Sequence, residues 1–341
     1  MKRLELSNTP TPIQPLEALS GELGTPLYLK RDDLTGFACS GNKIRKLEYL
    51  LAQALDQGAD TIITCGASGS NHARATAASC ARLHLACWLI LPVEQGEALD
   101  GNLFLDVLFG AKILCVTKEA YDQHREALFE QAAQRVRSMG GNPYVIPMGA
   151  SNPLGTFGSI NAFEELRAQE SALGVYFDVV ACAVGSGGTY LGLAMGAKKE
   201  GRGRKVLGFN ILGEASDFQK SLPPLSQGVE ALGGPKALQA KELQILDGYV
   251  GQGYAKSAPE ELLFLQKVAQ TEGVLLDPVY TGKAFRGLWM ETLQGHSLLV
   301  GARRILFLHT GGAFGLFPRK KDLLALKAPS FELLSLPKSK S

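Results

Sequence analysis

The sequence predicts an α/β fold: two open, mostly parallel sheets flanked by helices. Three observations carry this reading. Short continuous apolar runs alternate with helical segments along the chain, and strands apolar on both faces belong to parallel sheets covered by helices. Many of the 39 glycines cluster where strands hand over to helices. A length of 341 residues, at about 150 residues per domain, predicts two domains around one cleft.

Taken in order, residues 61–65 read as a buried strand and residues 71–83, rich in Ala, as a helix. Residues 88–91 make a strand, 103–109 a helix, 112–116 a strand and 120–138 a charged helix. A further strand at 144–146 is ended by Pro147. A second series opens with the apolar run 177–184, continues through 206–209 and ends near 304–309. Residues 151–158 read as a hinge between the two series, and 329–341 as a loosely ordered tail. No solenoid-length repeat or low-complexity tract interrupts the pattern.

Composition narrows the function. Hydrophobic residues make up 45% and charged residues 20%, ordinary globular usage that excludes disorder and collagen-like chains. Lys+Arg 35 against Asp+Glu 33 leaves +2, no electrostatic footprint for nucleic acid. The densest basic run, Arg319-Lys320-Lys321, follows Pro318 as a surface turn. No apolar run reaches the roughly 18 residues of a membrane span. The first residues carry no apolar signal-peptide core, so no secretion by that route is expected. Cysteines at 39, 65, 80, 87, 115 and 182 show neither CxxC pairing nor metal-ligand spacing. Cys65, Cys87, Cys115 and Cys182 lie in apolar runs and read as reduced core thiols. The expectation is a soluble, reduced, cytoplasmic protein without a metal.

In open parallel sheets, ligands sit beyond the carboxyl ends of strands, and four segments there carry unusual chemistry. Gly185, Ser186, Gly187, Gly188 and Thr189 follow the strongest strand and precede a helix. Glycine N–H groups, hydroxyls and a helix N-terminus together suit an anion, against the plainer reading of a tight turn. A triphosphate loop would need a lysine there, and Tyr190 stands where a dinucleotide loop needs glycine. A phosphate on a small cofactor fits better. Second, Lys43 opens an amphipathic helix after Ser40-Gly41-Asn42. The macrodipole there would depress its amine's pKa, as a Schiff-base nucleophile requires. Taken alone, Lys43 reads as a surface residue, and Lys46, one turn on, as solvated. Third, residues 66–72 include Asn71, typed as an N-cap, and Ser70, typed for the preceding turn. Their donors suit a carboxylate. Fourth, residues 277–283 and 309–312 place hydroxyls at a sheet edge, or make ordinary turns. His84, His124, His296 and His309, like Trp88 and Trp289, read as solvent or core residues.

Together SGNKIRKLEYL, SNHARATAA, GSGGTYLGL, LDPVYTGKA and LHTGG occur in one order from about Leu27 to Phe317. In that order they resemble pyridoxal-phosphate enzymes of the tryptophan-synthase-β fold (fold type II), within them the 1-aminocyclopropane-1-carboxylate (ACC) deaminase / D-cysteine desulfhydrase group. The resemblance implies that Lys43 holds the cofactor covalently. Asn71 then bonds its 3-hydroxyl, Gly185 to Thr189 cradle its phosphate, and Thr310 completes the cofactor site. It further implies that Ser70, Asn71 and His72 hold the substrate carboxylate, with Ser70 the active-site serine. Tyr254, Tyr280 and Thr281 face the substrate. It implies a large cofactor domain from residues 1–45 and 161–330, an inserted domain from 46–160, and a homodimer.

Ring-opening members resemble one another in carrying Glu after the tyrosine and Leu before the glycine pair. This chain has Thr281 and Thr310, the D-cysteine desulfhydrase pattern. A threonine hydroxyl cannot favour ring-nitrogen protonation as a carboxylate does, which suits elimination of a good leaving group. The expected reaction converts D-cysteine to pyruvate, hydrogen sulfide and ammonia. Lys43, or Ser70 relayed by it, takes the α-proton, and Tyr280 or Tyr254 serves the leaving sulfur. Ser40, Gly69 and Ser159 depart from the group's usual Gly, Gln or His, and Tyr; Gly69 enlarges or reshapes the substrate pocket. ACC ring opening, elimination from another substrate such as L-cysteate, and cofactor binding without turnover are the alternatives. So is a nucleotide-binding α/β protein.

Overall fold

The computed structural model describes residues 1–94 and 96–326. In chain order the elements begin with β1 (Ile13–Pro15), α1 (Glu17–Leu23), β2 (Leu27–Arg31) and α2 (Lys43–Asp56). An inner series follows: β3 (Thr61–Cys65), α3 (Asn71–Arg82), β4 (Ala86–Leu91), α4 (Gly101–Leu108), β5 (Lys112–Cys115), α5 (Lys118–Gln123), α6 (Arg125–Ser138) and β6 (Pro143–Val145). The chain returns through α7 (Pro153–Leu173), β7 (Val179–Val184), α8 (Gly188–Glu200), β8 (Lys205–Asn210), α9 (Ala215–Ala231) and β9 (Ile245–Leu246). It closes with α10 (Pro259–Glu272), α11 (Thr281–Leu293), β10 (Ile305–His309) and α12 (Lys320–Leu326).

Two sheets result, as the alternation predicts. The larger has the order β1-β2-β10-β7-β8-β9 and the smaller β5-β4-β3-β6. All pairings are parallel except β1 with β2. The central strands β3 and β7 are buried at every position, which is why their sequences are β-branched or small and apolar, with Thr61 and Thr64 the polar members and no strict alternation. Core clusters lie on both faces of each sheet. Phe209, Phe285 and Phe307 pack one side of the larger sheet, and Phe163, Phe177 and Tyr190 the other. No helix among the described residues is long and apolar enough to cross a membrane.

Several local expectations are corrected. The charged helix at 120–138 is two helices, broken at His124. The segment read as a hinge is helical from Pro153, with Asn152 capping α7 by accepting from Gly155 N at 2.8 Å. Cys115 is exposed, because β5 is the edge strand of its sheet; the other five thiols are buried and all six are free. Ser70, not Asn71, caps α3. The short strands β1, β2 and β9 carry no apolar run long enough to mark them in the sequence. The tail at 329–341 lies outside the described residues.

Candidate active site

A cavity of about 260 Å³ lies beyond the carboxyl ends of β3 and β7. Its wall takes in Lys43, Ser70, Asn71, His72, Tyr254 and Tyr280. It also takes in Gly185, Ser186, Gly187, Thr189 and Thr310. Gly188 and Thr281 are not among its lining residues. Gly188 opens α8 just behind the loop. Thr281 is fully buried: its hydroxyl donates to Asp277 Oδ1 at 2.7 Å and accepts from Asp277 N at 2.8 Å. That engagement turns the Thr281 hydroxyl away from the substrate role the motif implies.

Lys43 is the first residue of α2, and burial holds its amine down at about 8. Desolvation, not the macrodipole, sets that value, because a charged ammonium loses hydration here. Asn42, one residue earlier, donates from Nδ2 to Thr189 Oγ1 at 2.7 Å, and its N–H donates to Thr310 O at 3.1 Å. Gly41 makes that approach possible: at φ +100°, a Cβ there would sit 2.7 Å from Thr310 O.

On α3, Ser70 Oγ accepts from Ala73 N at 3.2 Å, and Asn71 Oδ1 accepts from Asn102 Nδ2 at 2.9 Å. His72 is buried with Nε2 2.8 Å from Thr64 Oγ1. The Thr64 hydroxyl gives its one proton to Ile146 O at 2.7 Å, so it accepts from His72. The bonding pattern thus assigns the ring proton to Nε2 and leaves Nδ1 a buried acceptor without a partner. Burial, reinforced by the charges of Lys43 and Lys46, pushes the imidazole pKa well down, so the ring stays neutral.

Across the cavity the Tyr254 and Tyr280 hydroxyls bond to each other at 2.7 Å, with rings edge to face. Asp277 aims this pair. Its carboxylate accepts from the N–H groups of Val279, Tyr280 and Thr281 at 3.0, 2.9 and 2.7 Å. Burial, then the neighbouring Tyr254, lifts the Tyr280 phenol well above its ordinary range, so it keeps its proton.

Lys46 overturns the helical-spacing expectation of a solvated side chain. It is fully buried, and its amine donates to Gly149 O at 3.3 Å and Ser151 Oγ at 3.1 Å. A Cβ on Gly188 would meet that amine at 2.9 Å and Ser151 Oγ at 2.7 Å. The residues that bury it lie a hundred or more positions further along the chain, so no local signal marks it. Tyr121 and Arg125, also in the cavity wall, are equally unmarked.

A family described as "Pyridoxal-phosphate dependent enzyme" matches residues 4–311. The chain belongs to that family. A Thermotoga maritima relative, provisionally named a 1-aminocyclopropane-1-carboxylate deaminase, is 44% identical over 94% of this chain and 100% of its own. The Arabidopsis thaliana bifunctional D-cysteine desulfhydrase/1-aminocyclopropane-1-carboxylate deaminase is 39% identical over 94% of this chain and 80% of its own. The D-cysteine desulfhydrase of Serratia proteamaculans is 40% identical over 92% and 95%. A solved ACC deaminase homologue superposes with a TM-score of 0.86 at 39% identity, covering 96% of this chain and 97% of that one.

The residues of this pyridoxal-phosphate-dependent enzyme fit its cofactor. The loop before α8 has the shape of an anion cradle. Gly187 has φ +82°, a Cβ there would strike Leu222 at 2.6 Å, and no side chain caps the helix. Lys46 supplies a buried amine beside it. Lys43 supplies an amine whose pKa is low enough to be partly neutral near pH 8. His309, by contrast, is packed: Nε2 lies 3.0 Å from Leu275 O, and Nδ1 accepts from Gly311 N at 3.2 Å.

Proposed function

We propose that this lyase carries out α,β-elimination on a small β-substituted amino acid, D-cysteine first, releasing pyruvate, hydrogen sulfide and ammonia. The observation that carries the reading is the cavity's lack of an inner carboxylate. Among the described lining residues the carboxylate is Asp122, at the exposed rim and ion-paired with Lys118. Thr281 and Thr310 stand where ring opening would call for Glu and Leu. The bound cofactor supplies an electron sink for the pair released from Cα. The N–H groups at the start of α3, with Ser70, hold the substrate carboxylate. Lys43 takes the α-proton as a neutral amine. The Tyr254–Tyr280 pair gives a proton to the departing sulfur, and the one hydroxyl replenishes the other.

We further read a homodimer, two domains and a cytoplasmic setting. The exposed apolar side chains Phe37, Phe104, Leu108 and Phe317 support the first. The division into 1–45 with 161–330 and 46–160 is supported by the separate sheets, its two boundaries falling in or beside α2 and α7. The free thiols support a reducing compartment.

The test is a visible spectrum of the purified protein, then D-cysteine with sulfide and pyruvate assays, in parallel with ACC and a 2-oxobutanoate assay. Sulfide and pyruvate in equal amounts are expected. 2-Oxobutanoate from ACC without sulfide from D-cysteine would overturn the choice of substrate.

A further inference from the structure

Arg74 lies on α3 one turn beyond Asn71, fully buried, and the proposed chemistry does not use it. Each of its three nitrogens donates to a neutral acceptor. Nη1 bonds Ala38 O, Nη2 bonds Ser40 O at 2.7 Å, and Nε bonds Asn102 Oδ1 at 3.2 Å. Its guanidinium also lies 5.3 Å from the centre of the Phe314 ring. No ion pair joins it to a described residue: Asp106, one turn along α4 from Asn102, is buried with both oxygens unbonded. A buried cation held in this way is costly for packing alone. What arginine adds is a rigid fork that only donates.

That one-way chemistry is passed on. Asn102 is buried in the first turn of α4 and bonds on both sides of its amide. Its Oδ1 must face Arg74, which has no acceptor, and its Nδ2 must face Gly69 O, at 2.8 Å, which has no donor. The same Nδ2 donates to Asn71 Oδ1 at 2.9 Å. The neighbours therefore force the orientation of both amides. Asn71 lines the cavity, and its Nδ2 has no partner among the described residues. Gly312 leaves that nitrogen room, since a Cβ there would lie 3.0 Å from it.

We propose that Arg74 is a positioning residue that fixes the polarity of the cofactor site: through Asn102 it obliges Asn71 to present an amide donor, so the cofactor ring oxygen that meets Asn71 is held unprotonated. The inference rests on the proposed placing of Asn71 against that oxygen. An N–H donor stabilises an ionised oxygen and offers a protonated one no acceptor. Arg74 also holds two carbonyls of the segment that leads into Lys43, so one guanidinium sets the polarity of one anchor and the approach of the other.

The test reads the absorbance of the bound cofactor, because an ionised ring oxygen moves the spectrum to longer wavelength. Wild-type holoenzyme is compared with Asn102→Asp, Arg74→Met and Arg74→Lys, each checked for folding by circular dichroism. Asn102→Asp keeps the volume and the bond to Arg74 but replaces the donor with a second acceptor, so Asn71 must turn and offer its Oδ1. The ratio of long- to short-wavelength bands should fall about fivefold or more, the worth of one neutral hydrogen bond. Arg74→Met removes the donor that sets Asn102 and should move the ratio the same way. Arg74→Lys keeps a single donor point and should recover part of the loss. A wild-type ratio in every variant that folds, with or without a weaker hold on the cofactor, would overturn the proposal. So would unfolding of all three, which would make the guanidinium a prop for the fold. Asn71→Ala separates the two levels. A shifted ratio there beside unshifted relay variants rejects the relay alone. An unshifted ratio in Asn71→Ala rejects the placing of Asn71, and the relay with it.

Discussion

The Asn42 side chain donates to the Thr189 hydroxyl at 2.7 Å, joining positions 147 residues apart. One end precedes Lys43 and the other closes the glycine loop, so this bond sets the two proposed cofactor anchors against each other. Asn42→Ala should weaken pyridoxal-phosphate affinity by about fivefold, the worth of one neutral hydrogen bond of about 1 kcal/mol. Titrating the cofactor-free protein by absorbance checks it. An unchanged affinity would mean that the anchors are held independently.

Lys43 gives a prediction in pH. Burial holds its amine at about 8 against an ordinary 10.5. The cofactor-free chain should therefore capture pyridoxal phosphate about tenfold faster per unit up to pH 8, then level off, since only the neutral amine attacks. Between pH 8 and 10.5 the unfolded chain holds a proton that the folded one has lost, so cofactor-free stability should rise across that window. Lys43→Met should remove both trends, as stopped-flow absorbance and urea melts would show.

Removing the second buried amine should act on the phosphate end. Lys46→Met is expected to reduce affinity for pyridoxal phosphate by tenfold or more while leaving affinity for unphosphorylated pyridoxal within a factor of about three. A comparable loss for both ligands would point to collapse of the cavity wall instead.

The tyrosine pair separates leaving groups. Tyr280→Phe should lower kcat on D-cysteine by about a hundredfold, in the range for a lost general acid. Chloride leaves without a proton, so β-chloro-D-alanine should lose far less. Equal losses would assign the hydroxyl a purely architectural role.

Stability has its own centre away from the cavity. Arg45 is held by Asp32 at 2.8 Å and Glu165 at 2.9 Å, and Lys30 also bonds Glu165. Burial alone would raise Glu165, but Arg45 and Lys30 outweigh it and hold the carboxyl at about 2. Its contribution should be full above the ordinary value of 4.5 and fade as the pH falls toward 2. Glu165→Gln leaves two cations under-compensated and should cost about 3–5 kcal/mol in urea unfolding.

What was readable in the sequence is what local chemistry decides. The strands β3 and β7 announce themselves because burial on both faces favours β-branched and small apolar residues without polar alternation. The glycine loop before α8 is legible because only glycine tolerates its geometry. Lys46 is not, since its surroundings, Gly149 and Ser151, lie some hundred residues away. Thr281 misleads for a related reason: its motif places it beside Tyr280, but Asp277 takes its hydroxyl. Cys115 sits in an apolar run, yet sheet order, which the run does not encode, puts it on an edge.

Helix α7 lies between α2 and α8, touching both. At Gly158 a methyl would collide with the Arg45 backbone, and at Gly192 one would meet Thr156 O at 2.9 Å. Lys43 rides on α2 and the proposed phosphate loop on α8, so α7 works as a gauge block between the two jaws of a vice. The span that a cofactor must fit is machined by absent carbon atoms, at positions the cofactor never meets.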